Sequence, residues 1–241
     1  MKNKMKIMLL NCQLFPWSLD YMKRKKRLLA FLLRSGADVI CLTELWYGVS
    51  SFKQFLAPMY PYSVRSVVGG SKRFFSCLNC CMPSVWHGGL LILSKRAIER
   101  PRQLVFSAAA HADSLVSKGA LKVSIEGVDI LATHLQAHYT ENALLAREIQ
   151  IDELKEFLQG SERLILAGDL NIDTFKTPQT VSEVFEHLKM EELDIKKRLP
   201  TCADEFLDYF AARGLKGSYK VVKMPKPPLS DHSAILADIN I

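Results

Sequence analysis

Polar side chains stand at the ends of several apolar, strand-like runs of this 241-residue sequence. One carboxylate follows the run that ends at Thr43, and an Asp-x-Asn triplet follows the run that ends at Ala167. Strand ends are the place where a sheet aims several side chains into one crevice. We therefore expect these residues to form one site. The set is Asn11, Glu44, His134, Asp169, Asn171, Asp231 and His232.

These residue types suit metal-assisted hydrolysis of a phosphoester. Mg²⁺ prefers oxygen ligands and often takes only one or two carboxylates besides water and substrate phosphate, so Glu44 is a candidate ligand. A histidine such as His232 can activate water when a partner fixes its tautomer. Asn and His donors can hold phosphate oxygens as negative charge develops. Each residue alone is common at a strand end or turn, so the prediction depends on the whole set.

The elements that must position these residues alternate along the chain between strand-like and helix-like segments, which predicts an α/β domain. Several predicted strands follow one another without a helix, so we expect mixed sheets. Glu126-Gly127 is typical of a hairpin turn. No linker divides the sequence, and we expect one catalytic domain over residues 1–241. The predicted helices are 19–34, 141–158 and 181–188, and the predicted strands are 5–12, 38–43, 89–94, 120–125, 128–133, 163–167, 218–223 and 233–239.

The composition is that of a globular protein, with 49% hydrophobic and 24% charged residues. It argues against a disordered chain, a repeat array and a disulfide mini-protein. The net charge of +7 favours anionic partners without choosing among nucleic acid, acidic lipid and phosphorylated substrates. No run is long enough for a membrane span, and the apolar run near the N-terminus is too short for a signal peptide. We expect a cytoplasmic protein, or one secreted without a cleaved signal peptide. Cys12 and Cys41 lie in apolar runs and are expected to be buried free thiols.

Together these motifs resemble the endonuclease/exonuclease/phosphatase superfamily, over residues 6–239. The resemblance implies a DNase I-like fold, a four-layer α/β/β/α sandwich of two mixed sheets flanked by helices. A further triplet, Asp208-Tyr209-Phe210, resembles the strand of this family whose Asp orients the catalytic His. The matching segments are Asn11, Leu42-Thr43-Glu44, Thr133-His134-Leu135-Gln136, Gly168-Asp169-Leu170-Asn171 and Ser230-Asp231-His232.

The resemblance also implies roles for the site residues. Mg²⁺, with Mn²⁺ as a substitute, would be bound by Glu44, with Asn11 and Asp231 close to the metal. The implied water-activating group is His232, oriented by Asp208. The implied role of Asp169 is to align the nucleophile or to protonate the leaving oxygen, and the family leaves this open. The phosphoryl oxygens would be held by Asn171 and His134. Gln13 departs from many nuclease members, which carry an acidic residue there.

Two segments are similar to the neutral sphingomyelinase branch of the superfamily. In the first, Asp113 precedes Lys118-Gly119 by five residues. A lysine near a phosphodiester site can offset negative charge, and Asp113 could hold it in place; the alternative is a surface Asp and a turn. In the second, Thr133-His134-Leu135-Gln136-Ala137 is followed by Arg147 and Gln150 on the next predicted helix. The implied reaction is Mg²⁺-dependent hydrolysis of sphingomyelin to ceramide and phosphocholine, by a monomer.

Other functions remain open at this stage. A Mg²⁺-dependent nuclease acting on DNA or RNA would share the catalytic centre. A phosphoinositide phosphatase fits less well, because Leu166-Ala167 stands where that branch has Trp-x before Gly-Asp. The Pro-Ala-Trp-Cys-Asp-Arg motif of that branch is also absent from this sequence before Ser230. A non-catalytic membrane or nucleic-acid binding module would not need the complete set of site residues.

A membrane substrate would require contact with a lipid surface. The run 73–86 is rich in Phe, Met and Trp and has few charges, so it could enter the headgroup region of a bilayer or fold over the core. Five basic residues, 23–27, form a second candidate contact, and such runs are often simply solvated. Cys77, Cys80 and Cys81 have no second ligand cluster nearby, which argues against a zinc site.

Overall fold

The computed structural model describes residues 4–15, 17, 20–69, 71–74, 81–83 and 86–241, and at 71–74 and 81–83 it describes the backbone. The helices within this part of the chain are α1 Tyr21–Arg34, α2 Val49–Leu56, α3 Glu141–Phe157 and α4 Pro178–His187, with a 3₁₀ helix at His111–Leu115. The strands are β1 Lys4–Asn11, β2 Val39–Thr43, β3 Tyr62–Arg65, β4 Ser71–Phe74, β5 Cys81–Pro83, β6 Trp86–His87, β7 Leu91–Ser94, β8 Glu99–Val105, β9 Ala108–Ala109, β10 Val116–Ser117, β11 Gly119–Ile125, β12 Val128–His134, β13 Leu164–Asp169, β14 Glu191–Glu192, β15 Asp194–Ile195, β16 Asp208–Arg213, β17 Lys216–Val222 and β18 Ala234–Asn240.

Two large mixed sheets form the centre of the fold. The first has the strand order β15-β17-β18-β1-β2-β7-β3, and the second has the order β14-β16-β13-β12-β11-β8. Strand β1 runs parallel to β2 and antiparallel to β18, while β12 runs parallel to β13 and antiparallel to β11. The expectation of mixed sheets is therefore confirmed.

The alternation of side chains along β1 shows how the layers stack. Ile7 and Leu9 belong to a core cluster that includes buried residues of both sheets and of α3 and α4. Met8 and Leu10, which point the other way as strand geometry requires, pack in a second cluster with buried residues of α1 and α2. Helices thus cover each sheet, and the four-layer α/β/β/α sandwich is confirmed.

The register of the strands brings the predicted site residues to one end of the sandwich. Asn11 pairs with Thr43, the residue before Glu44. In the second sheet Asp169 pairs with both His134 and Asp208. Motifs that lie far apart in the sequence therefore share one edge. Among the described residues, none of the helices has the length and apolar character needed to cross a membrane.

The sequence predicted three of the four helices and eight of the 18 strands in the described part of the chain. Helix α2 was not predicted, because its buried residues Val49, Phe52 and Leu56 fill only two turns. Strand β8 was not predicted either, because it is a largely exposed edge strand that contains Pro101. The predicted hairpin turn at Glu126-Gly127 is confirmed: β11 and β12 pair antiparallel around it, and both residues have positive φ.

Candidate active site

Asn11 joins the two sheets at the centre of the candidate site. Its Nδ2 donates to Glu44 Oε1 at 3.0 Å and to Asp169 Oδ2 at 2.9 Å. The amide orientation is set by its other end, because Asn11 Oδ1 accepts from the backbone N–H of Gln13 at 3.0 Å. The side chain is buried. Asn11 therefore holds two carboxylates from different sheets in a fixed relation.

Glu44 is the acidic residue of the cluster that is partly open to solvent. Its side chain is 20% exposed, while that of Asp169 is 1% exposed. Glu44 Oε2 also accepts from the indole Nε1 of Trp46 at 3.3 Å. A glycine is required nearby: Gly89 has a φ of 70°, and a Cβ there would lie 3.2 Å from Glu44 Cα. The carboxylate is thus oriented on both oxygens and remains accessible to a cation.

His232 and Asp208 form a buried pair on the second side of the cluster. His232 Nδ1 donates to Asp208 Oδ2 at 2.8 Å, and His232 Nε2 lies 3.9 Å from Asp169 Oδ2. Burial by itself lowers the pKa of His232, but the charge of Asp208 and its hydrogen bond outweigh burial and raise this pKa well above its usual value. The contact with Asp208 leaves Nε2 as the nitrogen that faces the cluster.

Asp169 lies between the two histidines of the site. Its Oδ2 is 3.6 Å from His134 Nε2, and its Oδ1 accepts from the backbone N–H of Asn171 at 3.1 Å. Burial, followed by the charge of Asp208, raises the pKa of Asp169 to about 7. Asp169 can therefore gain or lose a proton near neutral pH.

Lys118, which is buried, forms an ion pair with the partly buried Asp113 behind His134. Lys118 Nζ lies 2.8 Å from Asp113 Oδ2, 3.1 Å from His134 Nε2 and 3.0 Å from the carbonyl oxygen of Leu135. An ammonium group has three N–H donors, so these three acceptors use all of them. Burial, followed by the charge of Lys118, lowers the pKa of His134 well below its usual value and keeps the ring neutral.

Asn171 braces the loop that follows His134. Its Nδ2 donates to the carbonyl oxygen of Leu135 at 3.0 Å, and its backbone is in the left-handed region with a φ of 52°. The same loop is held from helix α3, because Arg147 Nε donates to the carbonyl oxygen of Gln136 and Gln150 Oε1 accepts from the Gln136 N–H. Both α3 side chains are buried. The loop is therefore fixed from two sides.

Asp231 lies at the outer edge of the site, on the side of His232. It is exposed, and its Oδ1 accepts from the Ser230 hydroxyl at 3.1 Å. The ligand atoms of Asp231, His232 and Cys202 lie within 4.8 Å of one another. The structure thus places Asp231 beside His232 and gives it no direct contact with Glu44 among the described residues.

The donor set at Glu44 fits Mg²⁺. The ion takes oxygen ligands, and one or two carboxylates are enough when water and phosphate oxygens complete the shell. Glu44 offers a partly exposed carboxylate, and Asp169 offers a second one linked to it through Asn11. Glu44 would hold the ion, with Asp169 next to it.

Three contributors to the site were not among the predicted site residues. Trp46 fixes the Glu44 carboxylate, the Leu135 carbonyl accepts from both Lys118 and Asn171, and Cys202 pairs with the backbone of His232. The position of Trp46, two residues after Glu44, could have indicated that its side chain contacts the Glu44 carboxylate. Backbone acceptors and bridges of this kind leave no signal in the residue types.

Two further predictions from the sequence concern the cysteines and the run 73–86. Cys12 and Cys41 are buried free thiols as expected, and burial raises the pKa of Cys41 to about 12. Within the run 73–86, residues 75–80 and 84–85 lie outside the described residues, as do the side chains at 73–74 and 81–83, so the prediction for this run and for its cysteines is untested. Trp86 is described and is 48% exposed.

A family model described as "Endonuclease/Exonuclease/phosphatase family" matches residues 8–232 of the chain. The match includes every predicted site residue and confirms the resemblance found in the sequence. A search of curated proteins gives no match.

Solved structures share the fold. Sphingomyelinase C from Streptomyces griseocarneus is 23% identical, with 98% of this chain and 99% of that chain covered at a TM-score of 0.74. A beta toxin variant from Staphylococcus aureus with bound magnesium ions is 19% identical; the match covers 98% of this chain and 99% of that chain at a TM-score of 0.79. The catalytic domain of human nocturnin with bound sulfate is 19% identical; the match covers 99% of this chain and 95% of that chain at a TM-score of 0.70.

Proposed function

The chain belongs to the endonuclease/exonuclease/phosphatase family, and from this premise we propose that it is a Mg²⁺-dependent phosphodiesterase that hydrolyses sphingomyelin to ceramide and phosphocholine. The reaction is an attack of water on phosphorus, opposite the ceramide oxygen. A new oxygen–phosphorus bond forms while the bond from phosphorus to the ceramide oxygen breaks.

The protons of this reaction have named carriers in the site. In its neutral form His232 accepts a proton from the attacking water at Nε2, while Asp208 orients the ring through Nδ1 and raises the pKa of His232, which makes the ring a stronger base. Asp169, whose pKa is about 7, supplies a proton to the leaving ceramide oxygen. Mg²⁺ held at Glu44 would neutralise charge on the phosphate oxygens.

The contact between Lys118 and His134 is the observation that favours the sphingomyelinase branch over the other branches of the family. It brings a buried positive charge to within 3.1 Å of a histidine whose Nε2 also lies 3.8 Å from Glu44 and 3.6 Å from Asp169. A phosphodiester brings a further negative charge into this carboxylate-rich cluster, and Lys118 offsets it. The Asp113 and Lys118 spacing is the feature that resembles the neutral sphingomyelinase branch.

An activity panel tests the proposal. Purified protein is incubated with vesicles of sphingomyelin, phosphatidylcholine or phosphoinositides and with plasmid DNA, each with Mg²⁺ and with EDTA. We expect release of phosphocholine from sphingomyelin when Mg²⁺ is present and no release in EDTA. His232→Ala should abolish release, while His187→Ala, at an exposed histidine paired with Asp152 at 2.8 Å, should not. Cleavage of DNA without turnover of any lipid would contradict the proposal.

A further inference from the structure

All three tryptophans of the chain lie in one aromatic cluster next to the candidate site. Phe15 stacks on Trp17 at a ring-centroid distance of 5.3 Å and on Trp46 at 5.9 Å, and Trp17 lies 5.7 Å from Trp86. We call Phe15, Trp17, Trp46 and Trp86 the aromatic stack. Its inner end is tied to the site, because Trp46 Nε1 donates to Glu44. The stack therefore runs from the candidate metal ligand to the protein surface.

The outer end of the stack is open to solvent. Trp17 is 64% exposed and Trp86 48% exposed, and the large side chains of Tyr47 and Met22 are also more than half exposed. Tyr47 connects to α1 through an edge contact with Tyr21 at 5.6 Å. An exposed apolar surface of this kind marks an interaction site, and Trp in particular favours the boundary between water and a bilayer.

Positive charge borders this surface. Five of the six basic residues of helix α1 are consecutive, 23–27, near the end of the helix that lies beside Trp46, and its Lys23 and Lys26 are exposed. Between α1 and α2 lies a groove of about 580 Å³, whose lining includes Lys25, Arg65 and Trp46. Anionic lipid headgroups are attracted to such clusters by about 1 kcal/mol for each basic residue near the surface.

We propose that this face docks the protein on a bilayer that contains anionic lipid, with Trp17 and Trp86 in the headgroup region and the basic residues of α1 against lipid phosphates. The purpose of docking, delivery of a lipid to Glu44, rests on the proposed function. A nucleic acid fits this face less well, because base stacking needs free ring faces and Trp17 is stacked on Phe15 and lies against Trp86. A bilayer interface has no such requirement.

Tryptophan fluorescence tests the proposal directly, since every tryptophan of the chain belongs to the stack. The His232→Ala variant is mixed with phosphatidylcholine vesicles and with the same vesicles containing phosphatidylserine, with and without bromine on the acyl chains. We expect binding that depends on phosphatidylserine and is weakened by salt, with quenching by brominated lipid. Trp17→Phe and Trp86→Phe should each remove part of the quenching.

Charge variants provide the matched comparison. Lys23→Gln with Lys26→Gln should weaken binding to anionic vesicles by about 10- to 30-fold. The control pair, Lys189→Gln with Lys216→Gln, lies together in the cavity near Asn240, at the end of the sheet opposite Asn11, and should change binding little.

Three results would overturn the docking proposal. They are equal weakening of vesicle binding by both lysine pairs, no quenching of tryptophan fluorescence by brominated lipid, and binding of an oligonucleotide in place of vesicles. Because binding is measured without turnover, docking without sphingomyelin hydrolysis would contradict the proposed function alone.

Discussion

The imidazole of His232 is held by Asp208 through a 2.8 Å contact between Nδ1 and Oδ2, although 24 positions separate the two residues in the chain. Both residues are buried, and Asp208 Oδ1 has no hydrogen-bond partner among the described residues. The carboxylate therefore acts on this one histidine, and its charge raises the pKa of His232.

Asp208→Asn should shift the pH dependence of the reaction. The charge of Asp208 raises the pKa of His232 against the effect of burial, so its removal lowers that pKa. Because a general base must be neutral, activity rises as pH passes through the pKa of His232, and the acid limb of the rate profile should move to lower pH. The maximal rate should fall by about 100-fold or more as the ring loses its orienting partner. An acid limb unchanged from wild type would contradict His232 as the base.

Glu44→Gln should weaken the response to Mg²⁺. Glutamine keeps the size of the side chain but removes the charge, and ligand charge sets cation affinity. We expect the Mg²⁺ concentration for half-maximal activity to rise by about tenfold or more in a titration of initial rates. Glu99→Gln, on the exposed edge strand β8, is the control and should titrate as wild type does. The same Mg²⁺ requirement in both variants would exclude Glu44 as the ligand.

Lys118→Met and Lys122→Met separate catalysis from stability. Each lysine is buried beside an aspartate, Asp113 at 2.8 Å and Asp129 at 3.8 Å. Loss of Lys118 leaves the partly buried Asp113 carboxylate without an ion-pair partner among the described residues, whereas Asp129 keeps Arg100 at 3.7 Å. Both variants should lower the free energy of unfolding in denaturant titrations, Lys118→Met by about 3 kcal/mol and Lys122→Met by less. Only Lys118→Met should also lower turnover per folded molecule, since only Lys118 contacts His134. Equal turnover in the two variants would assign Lys118 a purely structural role.

Asp169→Asn should stabilise the metal-free protein at neutral pH. The pKa of Asp169 rises from 3.8 to about 7 on folding, so between these values the folded state binds more protons than the unfolded state. The free energy of unfolding therefore falls as pH rises from about 4 to about 7, by about 1.4 kcal/mol for each pKa unit. Unfolding in denaturant with EDTA should show this fall in wild type and a smaller one in Asp169→Asn. An identical pH dependence would mean that Asp169 is not a strained carboxylate.

The sequence predicted the catalytic edge of the fold better than its periphery. Glu44 directly follows a largely apolar strand, and His134 and Asp169 are the last residues of two others, so the pattern that predicts each strand also predicts where it ends. The register between β13 and β16 places Asp208 beside Asp169. The sequence did not indicate this pairing; the resemblance to the family, not the residue pattern, indicated Asp208 as the residue that orients His232. Edge strand β8 is largely exposed and has no alternating apolar face, and helix α2 repeats its helical apolar spacing over only two turns, so neither gives a pattern long enough to predict. The aromatic stack joins residues that are up to 71 positions apart, such as Phe15 and Trp86, through contacts that no local pattern encodes.

Hydrolysis of sphingomyelin in ¹⁸O-labelled water tests the central claim most directly. With Mg²⁺ present, attack on phosphorus by a water that His232 activates should place one ¹⁸O atom in the released phosphocholine and none in ceramide, as read by mass spectrometry. The His232→Ala variant should form no product, so no labelled phosphocholine should appear. Label in ceramide, or no phosphocholine at all from wild type with Mg²⁺, would contradict the account.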